Sequence, residues 1–96
     1  MGCPRVYYLR ALQCLAYALV YDLDQKLART LNEQTDITML EDFINGRRKE
    51  ISEKEFYYAA GGAAQCVVEE AYQEGTDPFN ASIGGINEFE DFIELE

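Results

Sequence analysis

Histidine is absent from these 96 residues, and with it go the commonest metal ligand and the side chain best suited to acid–base work at neutral pH. The three cysteines, Cys3, Cys14 and Cys66, are an odd number with no C-x-x-C spacing, so neither a zinc site nor a fully paired disulfide framework is written into the chain. Reduced thiols are the simplest reading. No apolar run approaches the roughly 20 residues of a membrane span, because Arg10 and Gln13 interrupt the best candidate. The same breaks spoil Ala16-Tyr17-Ala18 as a signal-peptide cleavage site. The opening Met-Gly-Cys invites acylation, yet Val6 stands where myristoylation asks for Ser or Thr. These exclusions lead to the expectation of a cytoplasmic protein.

Basic residues are missing from the second half. Residues 1–54 hold all eight Lys and Arg and eight acids, whereas residues 55–96 hold ten acids and no base, so the whole net charge of −10 lies in the C-terminal part. Such asymmetry repels nucleic acid and phosphate ligands and speeds encounters with basic partners. With 48% hydrophobic and 27% charged residues, the composition is that of a globular chain, and the length suits one domain.

What is present is helical patterning. From Pro4 onward there is no Gly or Pro for some thirty residues, through RVYYLRALQCLAYALVYDLDQKLARTLNEQ. One apolar stripe comprises Leu9, Leu12, Ala16, Leu19, Leu23, Leu27 and Leu31, and a second, on another face, comprises Tyr7, Ala11, Cys14, Ala18, Tyr21 and Ala28. A helix that is apolar nearly all round is covered on more than one side. At thirty residues it would run about 45 Å, too long for one small domain to cover. Either it ends early, near Asp22, or a second chain covers it, and the second face becomes the expected dimer interface.

A short second helix follows in ITMLEDFING, capped by Thr35 or Asp36 and stopped at Gly46, with Arg47, Arg48 and Lys49 near its negative end. A third opens with the capping box Ser52–Glu55 and the apolar staple of Ile51 on Phe56, and runs to Gly75. Inside it, AAGGAA places Gly61 and Gly62 where glycine is costly, so close approach by the first helix is expected there. Residues 76–87 are turn formers, and in residues 88–96 Phe89, Phe92 and Ile93 recur amid acids as an amphipathic helix would require.

Glu50-x-x-Glu53 followed by Glu74-x-x-Asp77 resembles the E-x-x-E…E-x-x-D pattern of the all-α nucleotide pyrophosphohydrolases. The resemblance implies carboxylates on two facing helices holding magnesium, an ion that demands near-octahedral oxygen ligation. In this chain the two pairs flank a helix start and a turn, which departs from that arrangement. The seven tyrosines with Arg47-Arg48-Lys49 offer another reading, an oligomeric binder of a small ligand such as a nucleotide. The acidic segment Glu88, Phe89, Glu90, Asp91, Phe92, Ile93 and Glu94 offers a third: aromatics among acids are what a helix-in-groove ligand presents to a basic surface. In size and charge the chain resembles phage and mobile-element inhibitors, such as anti-CRISPR and antirestriction proteins, and immunity proteins that neutralise nucleases.

The expectation is therefore an all-α bundle over residues 1–96: a long N-terminal helix, a short second helix, a small-residue-rich third and a short acidic C-terminal helix, assembled as a homodimer. Its expected role is non-enzymatic inhibition of a basic, nucleic-acid-binding protein. No catalytic residue, metal or cofactor is assigned.

Overall fold

Val20 is where the N-terminal helix stops. In a computed structural model, which describes residues 5–75, the chain forms α1 (Arg5–Val20), α2 (Gln25–Asn32), α3 (Ile37–Arg48) and α4 (Glu53–Gln73), with no strand among the described residues. The all-α expectation holds at that level. The expected single long N-terminal helix does not, because α1 and α2 are separated by a turn. Backbone N–H groups of Leu23 and Asp24 both bond the Val20 carbonyl, at 2.9 and 2.8 Å. Asp24 then takes an extended conformation and its carboxylate accepts from Leu27 N–H at 3.0 Å, capping α2. Short polar side chains of this kind compete with the helical ladder and favour caps. The leucine stripe is therefore interrupted at Leu23, 70% exposed, and at Leu27, while α2 turns Ala28 and the stripe's Leu31 inward. With the helix folded back, the Cα trace measures 35 × 29 × 21 Å, and helix length no longer calls for a second chain.

α1 is the centre of the bundle. It packs against α2, α3 and, most extensively, α4, while the other three meet one another only marginally. Its leucines Leu12 and Leu15 join Leu40 and Ile44 of α3 and Phe56 and Val67 of α4 in a fully enclosed core. α4 runs antiparallel to α1: the Tyr7 hydroxyl donates to Glu74 Oε1 at 3.2 Å, the Arg10 guanidinium pairs with Glu70 at 3.2 Å, and Cys14 shares a groove with Cys66. Steps of three or four along α1 thus match steps of four back along α4. Gln13 Nε2 and Arg10 Nη1 donate to the Gln34 carbonyl and to Asn32, fastening the end of α2. On the α3 side, Tyr8 donates to the Glu41 carboxylate.

Two glycine expectations are corrected. Gly46 does not stop its helix: α3 continues to Arg48. The two arginines gained hold the fold, since Arg47 Nε donates to the Leu19 carbonyl at 3.3 Å and Arg48 lies 5.0 Å from the Phe56 ring centroid. A cation at the C-terminal end of α1 satisfies a carbonyl left over by the helix and suits its dipole. Nor do Gly61 and Gly62 admit α1. α4 is continuous through them, both are exposed, and a Cβ built on either meets nothing within 4 Å. The small residues that do approach α1 are Ala60, Ala63 and Ala71. The start of α4 is as expected: Ser52 accepts from Glu55 N–H at 3.2 Å, and Phe56 is buried with Ile51 packed against the core. Asp36 caps α3 by accepting from Met39 N–H at 3.3 Å. Gly75, at φ +78°, supplies the left-handed residue beyond α4.

Candidate protein-binding face

α4 has two faces with different chemistry. Inward point Phe56, Ala60, Ala63, Val67 and Ala71. Outward, at alternating steps of four and three, stand Tyr58, Gly62, Gln65, Glu69 and Tyr72, all exposed, with Glu55 one step before them. A period of that kind keeps side chains on one side of the helix, as in a helix–helix seam. The tyrosines at its ends are 87% and 74% exposed. Tyrosine brings large contact area with a hydroxyl at low entropic cost, which is why it concentrates at interfaces. Between them the bare backbone at Gly61 and Gly62 lets an approaching group come close.

Two grooves meet at Ala18 and Gly62. One, of about 530 Å³, is bounded by Leu19, Leu23, Arg47, Ile51, Glu55 and Tyr58. The other, of about 500 Å³, is bounded by Arg10, Cys14, Tyr17, Arg29, Asn32 and Cys66. Tyr17 stacks on Tyr21 with ring centroids 5.2 Å apart. Burial first, and then the hydrogen bond and charge of the adjacent Cys66, push the Cys14 thiol up to about 12, and Arg10 nearby only partly offsets this.

The expected site residues fall unevenly. Of the dimer face, Tyr7 and Ala11 are enclosed in the protomer's own core, Cys14 is half-buried, and Ala18 and Tyr21 are exposed. Arg47 and Arg48 are engaged as described, Arg47 also with Glu50 at 2.8 Å. Glu50 and Glu53 sit at the start of α4 and Glu74 just past its end, about 30 Å apart at 1.5 Å per residue. They do not converge on one ion. Asp77 and the whole segment Glu88, Phe89, Glu90, Asp91, Phe92, Ile93 and Glu94 lie outside the described residues.

No protein-family model, curated protein or solved structure matches the chain. Its function has to be argued from its own residues.

Among the described residues no three of His, Cys, Asp and Glu gather as a metal site, and no helix is long and apolar enough to cross a membrane. Sequence reasoning missed the outward seam of α4. The seam's signal is two tyrosines fourteen residues apart with glycine and glutamate at helical steps between them.

Proposed function

We propose that this chain is a non-enzymatic inhibitor that occupies a basic, nucleic-acid-binding surface of another protein. The observation that carries the reading is the placement of charge: ten acids and no base after Lys54. On α4 that charge accompanies exposed tyrosines, with Glu55 and Glu69 in line with Tyr58 and Tyr72. In the sequence beyond, Glu88, Glu90, Asp91 and Glu94 surround Phe89, Phe92 and Ile93. Carboxylates satisfy Lys and Arg side chains that otherwise hold phosphates, and the aromatics add the apolar contact that a surface of charge alone lacks. A homodimer that uses Cys14, Ala18 and Tyr21 would present the array twice, and reduced cysteines suit a cytoplasmic setting.

The test is capture of partners from the native host's lysate by the full chain at low and high salt, beside a variant reversed to Lys at Glu88, Glu90, Asp91 and Glu94. A captured protein that is basic, binds nucleic acid, loses that nucleic acid to the full chain and is released by salt supports the proposal. Equal capture by the reversed variant removes these acids from the site. A captured protein that keeps its nucleic acid in the presence of the chain overturns inhibition.

A second reading rests on the groove bounded by Arg10, Arg29, Asn32 and Tyr17, which offers cations and a ring to a nucleotide. It requires a rise in thermal midpoint on adding nucleotide, lost in Arg29→Glu.

A further inference from the structure

Cys14 and Cys66 occupy the middle of the α1–α4 seam. Their register is fixed on one side by the Arg10–Glu70 pair, and on the other side Ala18 and Gly62 line the same groove. Both thiols are half-buried and both line that groove. Small residues flank the pair, Ala11 on α1 and Ala63 on α4, so the two backbones are not held apart by bulk. A disulfide needs Cα atoms about 4.4–6.8 Å apart and Cβ atoms facing each other, a demand that closely packed helices with both thiols on one groove can meet.

We propose that Cys14 and Cys66 form a reversible dithiol site, closed to a disulfide between α1 and α4 by exchange with a small-molecule disulfide of the oxidised-glutathione class. Cys66 loses its proton and attacks one sulfur of that reagent, forming a mixed disulfide and expelling one thiolate. Cys14 then gives up its proton to the expelled thiolate and attacks the Cys66 sulfur, expelling the second thiolate, which takes up the proton that Cys66 released to solvent. The protein is oxidised by two electrons and the reagent is reduced to two thiols. Cys14 makes the second attack, since partial burial disfavours its thiolate until the mixed disulfide stands beside it. Arg29 at the groove wall suits a reagent that carries carboxylates. The inference stands apart from the proposed function and requires no partner protein.

The full chain carrying Cys3→Ser is equilibrated with oxidised glutathione, blocked with N-ethylmaleimide and digested with trypsin without reduction. Cleavage after Arg10, Lys26 and Lys54 isolates Cys14 in residues 11–26 and Cys66 in residues 55–96. The expected result is a mass lower by about 2 Da, with residues 11–26 joined to 55–96 within one chain. A thermal midpoint that rises on oxidation and returns with a reductant accompanies it. Cys14→Ala and Cys66→Ala each abolish the link and the shift, with circular dichroism as the check on folding. Two maleimide-blocked thiols, a stable mixed disulfide on either cysteine, or links found only between chains would overturn the proposal. Because the Cys3→Ser chain keeps both thiols, this outcome does not depend on the alanine variants folding.

Discussion

Replacing Gly61 and Gly62 together with alanine should make this protein more stable. Glycine in a helix interior costs about 0.8–1.0 kcal/mol relative to alanine, mostly because the unfolded chain has more freedom to lose. Against that gain stands only the room for two methyl groups, and at both positions an added Cβ meets nothing within 4 Å. Neither backbone is left-handed, a conformation the described residues show only at Gly75. The double variant should therefore gain about 1.5–2 kcal/mol, and in a domain of this size roughly 6–15 °C in thermal midpoint. Urea denaturation followed by far-ultraviolet circular dichroism checks it, with the midpoint raised and the slope unchanged. Gly75→Ala is the control and should destabilise, since its φ of +78° strains any Cβ. A double variant no more stable than the parent would refute the reasoning. It would mean that the glycines are covered, and a midpoint that depends on protein concentration would then identify a second copy as the cover. If stability rises while partner capture is lost, close approach of a partner's backbone accounts for the glycines.

Removing the caps tests the helix boundaries. Ser52→Ala and Asp24→Ala should each cost about 1 kcal/mol, and their effects should add because they start different helices, whereas Asp22→Ala should change little; urea midpoints of the single and double variants decide this. Cys14 sets an alkaline limit. Its thiol is raised from 9.0 to about 12, so the folded state disfavours the thiolate, and the stability this represents is complete below pH 9 and is lost as pH climbs from there toward 12. Between those limits the parent should lose more stability than Cys14→Ala, as read from thermal midpoints over a pH series. Parallel loss in the two chains would show that the titration of Cys14 is not linked to folding.

Features that a few neighbouring residues determine were legible in the sequence. Ser52 with Glu55, Asp36 ahead of an apolar stripe, and Gly75 at a helix end each act within one turn, and each is where the residues placed it. The break after Val20 was legible only as an alternative, because Leu19, Leu23, Leu27 and Leu31 keep helical spacing straight across it. Spacing says which residues could share a face, not that the chain stays helical between them, and Asp24 decided the matter as a cap. The α1–α4 register was not legible at all. Nothing local to Cys14 or to Arg10 points to Cys66 or Glu70, more than fifty residues on, and the pairing exists only once two helices choose each other's faces. For the same reason AAGGAA was misjudged. Six small residues in a row circle the helix, and only packing distinguishes Ala60 and Ala63, which meet α1, from Gly61 and Gly62, which face out.

The fate of the cations bears on which reading of the surface is strongest. By count, the first half of the chain is neutral, with eight bases against eight acids, but three of those bases are engaged in holding helices together. Arg10 ties α1 to Glu70 and Asn32, Arg47 closes the end of α1 and pairs with Glu50, and Arg48 covers the Phe56 ring. An arginine fixed by a carbonyl or a ring has less freedom to reorganise around a phosphate than one on an open surface. Arg47-Arg48-Lys49 therefore reads as the closure of a helix end rather than as a ligand cradle. The acids are placed the other way. Glu53, Glu55 and Glu69 stand exposed on α4, where their field reaches solvent and any basic surface that approaches. Folding thus engages Arg10, Arg47 and Arg48 within the bundle while Glu53, Glu55 and Glu69 stay exposed on α4, the arrangement of charge on which the proposed reading rests.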